Sequence, residues 1–279
     1  KRIWNGLFKI IRYYKKITFR NKLKLAKKLG YKIIYTVHNI KPHEKDKKTE
    51  KNTKILYRLA DKIVVMGEHD KEYLEKNYDL DNISLIPHFH YKQFYKNKIN
   101  KKDARNKLGI KGDKFTFLFF GSIREYKNVD GLINAFRNIE KDIRLIIAGN
   151  SSQDPNYINK IKRMSGKDKR IIVKNRKIPN NNIQIYMNAS NVVVFPFNQV
   201  SNSGSLLLAK SFYKPTICVD KGNLKEYTNP KTDIMIKDNS DLKKALLSAM
   251  EKKFPKDKKE YLKRIPSLKK VAKMYKEIY

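Results

Sequence analysis

A serine- and glycine-rich segment, Ser201-Asn202-Ser203-Gly204-Ser205, has the composition of a phosphate-binding turn. It lies between the apolar run 192–196 and a second short apolar run, 215–219, which predicts a strand, a turn, a helix and a further strand. Unpaired amide groups and the positive end of a helix dipole converge on such a turn and favour an anion. Serine and glycine are also common helix caps, so the segment by itself equally suits a purely structural turn.

A second loop places cations directly after an apolar run. Gly121 begins this loop after the run 115–120, and Arg124 and Lys127 follow within it. Apolar residues at helical spacing come next, and then an apolar run at 144–149, so the segment predicts a βαβ unit. Open parallel sheets bind ligands at the carboxyl ends of their strands. Two anion-binding loops at that edge would enclose a diphosphate.

The order and spacing of these segments resemble the carboxyl-terminal half of GT-B nucleotide-sugar glycosyltransferases of the large family-4 type. The resemblance covers residues 115 to about 230, including the segments 145–149 and 201–217. Residues 35–44 and 86–91 are similar to the family's cleft-facing loop and interdomain segment. The resemblance implies an α/β fold with two Rossmann-like domains. It also implies transfer of a sugar from a nucleotide diphosphate sugar to a glycan or a lipid-linked acceptor.

The resemblance assigns a set of donor-binding residues. Lys127 matches the family's phosphate-binding lysine, whereas Arg124 is a substitute, because the position of the family's arginine falls at Ser122. The leaving diphosphate develops negative charge, which these cations and the amides of the serine-rich turn would stabilise. The expected donor-binding residues are Gly121, Arg124, Lys127, Asn202, Ser203, Gly204, Ser205 and Glu226.

An acidic pair found in many members of the family is absent from this sequence. The two glutamates, which contact the donor sugar and the ribose, correspond to Ser201 and Leu208. Glu226 is the nearest acidic replacement, although a glutamate there also suits the surface of a helix. The missing pair leaves phosphate binding intact but favours, as one alternative, a degenerate transferase that binds nucleotide without transferring sugar.

Three titratable residues after the predicted strand 33–37 form the expected catalytic set, namely His38, His43 and Glu44. His38 matches the family's cleft-facing histidine, which could bond the donor or accept the proton of the acceptor hydroxyl. Glu44 could serve as the base instead. His88 and His90 flank the interdomain turn and are expected to line a hinge or a cleft.

We expect neither a metal nor a cofactor besides the donor substrate. The sequence has no Cys/His cluster and no Asp-X-Asp motif that would bind a divalent ion with the diphosphate. A metal set of His38, His43 and His90 is disfavoured, and cationic side chains are expected to replace the metal. The single cysteine, Cys218, lies in an apolar run and is expected to be a packed thiol in a reducing compartment.

The net charge of +37 and a pI near 10.0 point first to polyanions such as nucleic acid or an anionic membrane. The 52 lysines far exceed the 12 arginines, which disfavours nucleic acid, because proteins that read bases and phosphates rely on arginine. Lysine enrichment together with asparagine and isoleucine also fits an AT-rich genome. The rival function is a non-catalytic basic protein that binds nucleic acid or anionic lipid.

The positive charge is concentrated at both ends of the sequence. Residues 1–60 include 19 basic and 3 acidic residues, and residues 252–279 include 11 and 3. Apolar residues recur at helical spacing over 3–17 between basic ones, which predicts an amphipathic helix that packs on its own sheet or lies on anionic lipid. No apolar run approaches about 20 residues, so we expect a cytoplasmic protein, soluble or peripheral at the inner membrane face.

Alternating apolar runs and helical patterns predict two parallel-sheet domains. We expect an amino-terminal Rossmann-like acceptor domain with its linker over 1–110, a Rossmann-like donor-binding domain over 111–252, and a terminal helix over 253–279 that returns to the first domain. Pro266 is expected to interrupt that helix. Because the sequence starts directly in a helical pattern, the amino domain is expected to lack its first strand and glycine-rich loop.

Overall fold

The computed structural model describes residues 19–40, 47–151 and 154–279. Its contacts divide the described chain into two units, one formed by the residues up to Ile86 with Ala272–Tyr279 and one formed by Pro87–Val271. The amphipathic helix predicted over residues 3–17 lies outside the described residues. The domain bounds at residues 110 and 252 stay predictions.

The first unit is built on a parallel three-stranded sheet. Its strands are Ile34–Thr36 (β1), Lys62–Val65 (β2) and Ile83–Leu85 (β3), in the spatial order β1-β2-β3. Its helices include Phe19–Lys28 (α1), Lys47–Leu59 (α2) and Glu68–Tyr78 (α3). The β-branched run Ile63-Val64-Val65 is fully buried, as expected of a central strand that is covered on both faces. Tyr275 joins this unit through a 3.1 Å contact between its hydroxyl and that of Thr36.

The second unit contains a parallel six-stranded sheet. Its strands are Phe115–Phe120 (β4), Ile143–Gly149 (β5), Ile171–Asn175 (β6), Val192–Phe195 (β7), Thr216–Val219 (β8) and Asp233–Ile236 (β9). The remaining helices of the described chain are Lys101–Lys107 (α4), Val129–Arg137 (α5), Pro155–Ser165 (α6), Asn180–Ala189 (α7), Gly204–Ser211 (α8), Leu242–Glu251 (α9), Lys259–Leu262 (α10) and Leu268–Lys276 (α11).

Uninterrupted apolar strands form the core of the second unit. The run Phe117–Phe119 of β4 and every residue of β7 are completely buried. A strand that is covered by helices on both faces has no solvent-exposed side, so its sequence does not alternate between apolar and polar residues. Helix α5 packs Leu132 and Phe136 into the same core. These two parallel sheets with their helices confirm the predicted α/β fold.

The order of the strands places a topological switch point beside β4. The order is β6-β5-β4-β7-β8-β9, so the chain builds outward from β4 to β6, crosses back, and then builds outward from β7 to β9. Phe117 of β4 pairs with Val192 of β7 in parallel register. The loops that follow β4 and β7 therefore leave the same edge of the sheet, where open α/β sheets bind their ligands.

Strand β9 is the element of this sheet that the sequence pattern does not predict. It has four residues, two of them only partly buried, and it follows a segment rich in asparagine, proline and lysine. It forms at the edge of the sheet by pairing with β8, which is a tertiary effect and leaves little local signal. Pro266, in contrast, separates α10 from α11, as predicted.

Candidate functional site

Lys127 lies in a turn just beyond the carboxyl end of β4. It ends a short 3₁₀ turn, Glu125–Lys127, and its side chain is only 9% exposed. Its Nζ donates a hydrogen bond to Ser122 Oγ at 2.9 Å and lies 5.6 Å from the ring centre of Phe197. The distance to the ring is within the range of a cation–π contact. Lys127 is therefore a fixed, buried cation and not a solvated loop charge.

The serine-rich turn begins helix α8. The backbone of Ser203 is extended, and its hydroxyl accepts a hydrogen bond from the amide of Leu206 at 3.2 Å. This cap satisfies one of the first amides of the helix, whereas the amides of Gly204 and Ser205 lie where a helix provides no acceptor of its own. The turn is thus a helix cap and, at the same time, a source of amide donors at the positive end of the helix.

Gly121 is the point at which the two loops meet. A Cβ atom on Gly121 would lie 2.8 Å from Ser205 Oγ and 3.3 Å from Lys127 Nζ. Its φ of +136° is also a conformation that residues with a side chain rarely adopt. The structure therefore brings together Gly121, Lys127 and the start of α8, which the sequence singled out in two separate segments.

Lys127 differs in its partners from Lys210 and Arg105, two other buried cations of the described chain. Lys214, whose pKa burial also lowers to about 8, donates to the carbonyl of Ser190 at 2.8 Å, whereas Lys127 donates to a hydroxyl at the carboxyl end of β4. Lys210 is completely buried and lies 2.7 Å from both carboxylate oxygens of Asp233. Arg105, which is 4% exposed, lies 3.6 Å from a carboxylate oxygen of Asp113. Among the described residues, no carboxylate lies within ion-pair distance of Lys127, and none stabilises its charge. Because buried charges are normally paired, this arrangement suits an anionic ligand that brings its own negative charge.

The surroundings of Lys127 disfavour its charge. Burial, and secondly repulsion from Arg124, lower the pKa of Lys127 to about 8. Arg124, which is partly exposed, therefore lies close enough to repel the ammonium group of Lys127. An anion beside the two cations would favour the charged lysine and raise its pKa. Binding of an anion at this site is thus coupled to protonation of Lys127.

The loop after β8 supports the serine-rich turn. Asn223 is completely buried, and its backbone amide donates to the carbonyl of Ser201 at 2.9 Å. Its side-chain amide donates to Asn202 Oδ1 at 3.0 Å. Glu226 follows in the 3₁₀ turn Leu224–Tyr227 and is partly buried. Asn202 and Glu226 therefore belong to one group of loops at the carboxyl ends of β7 and β8.

His38, the expected catalytic residue that the structure describes, belongs to the first unit of the chain, whereas the converging loops belong to the second. His38 follows β1 and is exposed, and Val37 before it is completely buried. His43 and Glu44 lie outside the described residues. Their roles in catalysis stay predictions.

His88 and His90 lie in the second unit and are held by their own neighbours. His88 Nδ1 donates to the carbonyl of Phe89 at 2.9 Å, and its Nε2 lies 3.1 Å from the hydroxyl of Tyr91. The amide of His90 donates to the carbonyl of Pro266 at 3.1 Å, and burial lowers the pKa of its imidazole.

The described ranges contain no group of three or more His, Cys, Asp or Glu side chains arranged to hold a metal ion. Metal independence of the reaction stays a prediction. None of the helices described has both the length and the apolar character to cross a bilayer. Cys218 is fully buried, and burial raises the pKa of its thiol to about 12, in agreement with a packed thiol.

Ser122, Phe197 and Asn223 shape the site and are absent from the predicted donor-binding set. A glycine-asparagine pair that begins three residues after the end of β8 is a turn signal that could have indicated Asn223. No comparable signal marks Ser122 or Phe197, because their contacts with Lys127 depend on how the loop folds back on itself.

Curated proteins are similar to this chain over part of its length. The amylovoran biosynthesis glycosyltransferase AmsD of Erwinia amylovora is 27% identical over 171 residues, which are 59% of this chain and 44% of that protein. The GDP-mannose:glycolipid 4-beta-D-mannosyltransferase of Xanthomonas campestris pv. campestris is 25% identical over 193 residues, which are 67% of this chain and 50% of that protein. The chain spans about half the length of these curated relatives.

Solved structures share the fold at lower identity. Sucrose-phosphate synthase from Thermosynechococcus elongatus superposes with a TM-score of 0.76 at 18% identity, over 94% of this chain and 71% of that chain. The Anabaena protein HepE in complex with UDP superposes with a TM-score of 0.76 at 12% identity, over 92% and 74%. These likenesses show a GT-B fold, in agreement with the prediction.

One family matches most of the second unit. The match extends over residues 100–266, which is more than half of the chain and includes both converging loops. The chain therefore belongs to the family described as glycosyl transferases group 1.

Proposed function

We propose that this protein transfers a sugar from a nucleotide diphosphate sugar to a glycan or lipid-linked acceptor in the synthesis of a polysaccharide or glycolipid. The observation that carries the proposal is Lys127, a buried cation without a carboxylate partner among the described residues, which meets the start of α8 at Gly121. A diphosphate supplies the charge that this arrangement suits. The HepE structures in complex with UDP and with UDP-glucose support this ligand class.

The chemistry follows from the charge that develops during transfer. The bond between the anomeric carbon and the diphosphate oxygen breaks, and an acceptor hydroxyl oxygen forms the new bond to that carbon. Negative charge grows on the leaving diphosphate, where Lys127, Arg124 and the first amides of α8 stabilise it. These groups take the role that a divalent ion has elsewhere, so the reaction proceeds without a metal.

The acceptor proton requires a base, and we assign this role to the loop that follows β1. We propose His38 as the residue that bonds the donor sugar or accepts the proton, with Glu44 as the other candidate base and His43 as the third residue of the proposed set. The curated relatives support a glycan or glycolipid acceptor, since one is named for amylovoran biosynthesis and the other for a glycolipid substrate.

Helix α1 supports a peripheral position at an anionic membrane, on the cytoplasmic side. The helix has five basic residues and no acidic ones, and Phe19 and Leu25 are 38% and 57% exposed. Basic helices with exposed apolar side chains bind anionic lipid surfaces. The same charge is the observation that favours the rival function, a non-catalytic protein that binds polyanions.

Isothermal titration separates the two functions. Wild type, Lys127→Ala and the control Lys167→Ala, which removes an exposed lysine between α6 and β6, are titrated with UDP, GDP, UDP-glucose and GDP-mannose. We expect wild type and Lys167→Ala to bind a nucleoside diphosphate and Lys127→Ala to lose about tenfold or more in affinity. If wild type gave binding heat only with nucleic acid or anionic vesicles, and none with the nucleotides, the rival function of a polyanion-binding protein would be supported instead.

Transfer itself is measured with labelled donor sugars and extracted lipid or glycan acceptors, with and without EDTA. Product that is insensitive to EDTA supports a metal-independent transferase. Nucleotide binding without product from any acceptor would show a degenerate transferase.

A further inference from the structure

Tyr91 contacts both ends of helix α8, whose start carries the proposed diphosphate site. Its backbone amide donates to Ser211 Oγ at 2.7 Å, at the last turn of the helix. Its hydroxyl lies 3.3 Å from the place that a Cβ atom on Gly204 would occupy, at the first residue of the helix. Gly204, Leu208 and Ser211 follow at spacings of four and three, so they share one face of α8. The side chain of Tyr91 therefore runs back along this face towards the site.

His88 fixes the direction of the Tyr91 hydroxyl. The carbonyl of Phe89 can only accept a hydrogen bond, so His88 Nδ1, at 2.9 Å, is the nitrogen that carries the proton. We assign His88 as the neutral imidazole, in which Nε2 is then an acceptor and the hydroxyl of Tyr91, at 3.1 Å, is the donor. Burial raises the pKa of Tyr91, so its phenol stays protonated. With its proton directed to His88, the phenol oxygen offers only lone pairs to a further partner.

An oxygen that only accepts discriminates between the groups of a nucleotide sugar. It repels a phosphate oxygen, which has no proton to share, and it favours a hydroxyl group. Hydroxyl groups lie on either side of the diphosphate in these molecules, on the ribose and on the transferred sugar. Leu208, on the same helix face, has no oxygen or nitrogen in its side chain to serve a hydroxyl.

We propose that Tyr91, oriented by His88, is a further donor-binding residue whose phenol oxygen accepts a hydrogen bond from a hydroxyl group beside the diphosphate. This inference rests on the proposed function, because it places the diphosphate at the start of α8. It assigns a binding role to a residue of the segment that the sequence indicates as a hinge.

The test removes the phenol oxygen and leaves the ring. Tyr91→Phe is compared with wild type and with Tyr95→Phe, which makes the same change on the neighbouring ring, 6.2 Å away between ring centres. Each protein is titrated with UDP and GDP, with their 2′,3′-dideoxy forms, and with UDP-glucose and GDP-mannose. Thermal unfolding of each variant is recorded to show that the fold is retained.

We expect Tyr91→Phe to lose about three- to tenfold in affinity, as for one hydrogen bond, and Tyr95→Phe to bind as wild type does. If the hydroxyl belongs to the ribose, the loss appears with UDP or GDP and disappears with the dideoxy forms. If it belongs to the transferred sugar, the loss appears only with the sugar nucleotides.

Equal affinities of Tyr91→Phe and wild type for all ligands would overturn the inference and leave the proposed function standing, provided that Lys127→Ala still weakens binding. A wild type that binds no nucleoside diphosphate would overturn both.

Discussion

We expect the buried charge of Lys127 to destabilise the folded state. Burial disfavours its charge, Arg124 repels it, and no carboxylate among the described residues compensates. A buried charge that destabilises the folded state in this way is typical of a functional site, where the bound ligand supplies the opposite charge.

Replacement of Lys127 by Met should therefore stabilise the protein while it weakens nucleotide binding by about tenfold or more. The pKa of Lys127 is about 8 in the folded state and about 10.5 in an unfolded chain, so the cost is present in full below pH 8 and fades as the pH rises towards 10.5. At pH 7 we expect the free energy of unfolding to rise by roughly 1–3 kcal/mol, measured by urea denaturation. Lys167→Met is the control, and a loss of stability in Lys127→Met alone would contradict this account.

The affinity for nucleoside diphosphate should fall as the pH rises through 8. The anion binds the protonated lysine, and protonation becomes unfavourable above the pKa of the free site. We expect the dissociation constant for UDP or GDP to rise about tenfold between pH 7 and pH 9 in titration calorimetry. The Lys127→Met variant should show a flat profile over the same range. If the affinity of wild type did not change over this pH range, a group other than Lys127 would bind the anion.

The sequence predicts the placement of Lys127 well, because a loop after an apolar strand can be located from spacing alone. The sequence does not predict that the side chain of Lys127 folds back on Ser122, since water would solvate both side chains equally well in an open loop. Tyr91 was likewise beyond prediction, because its contact with Gly204 joins segments more than 100 residues apart.

At the scale of single elements, strand β9 depends on one buried carboxylate. Asp233 accepts hydrogen bonds from Lys210 at 2.7 Å, from the hydroxyl of Thr216 at 2.6 Å and from the amide of Asn229 at 2.7 Å. These contacts tie the first residue of β9 to α8 and β8. The four-residue sequence of β9 does not reveal these contacts, whereas the apolar runs of β4 and β7 identify their strands directly.

Asp233→Ala should unfold the edge of the sheet, because it leaves Lys210 charged and buried without its partner. We expect a loss of about 3–5 kcal/mol in the free energy of unfolding. Glu75→Ala, which removes a carboxylate that is 47% exposed and lies 3.9 Å from Lys71, should cost less than about 1 kcal/mol. The double variant Lys210→Met with Asp233→Leu should be more stable than either single variant, as measured by urea denaturation. A double variant that is no better than the singles would show that the carboxylate acts through its other partners.

At the scale of the whole chain, the charge of +37 and the nucleotide site should respond differently to salt. Contacts between exposed lysines and a charged surface are screened, whereas a buried, bonded cation is screened much less. We expect sedimentation with vesicles that contain phosphatidylserine to be lost between about 50 and 500 mM NaCl. The affinity for UDP or GDP should change only a few-fold over that range. Neutral vesicles are the control, and salt-resistant binding to them would indicate apolar insertion instead.

The pairing of β4 with β7 has a consequence for how the protein folds. Phe117 pairs with Val192 across the sheet, and the two loops of the site are separated by a chain segment that contains β5, β6, β7 and three helices. Such non-local pairing forms slowly, because the entropy of closing a long loop is lost before any stabilising contact forms. During synthesis, a chain released only as far as β6 has the lysine and lacks the helix that faces it. The appearance of nucleotide affinity in a refolding experiment therefore reports the closure of this central pair of strands.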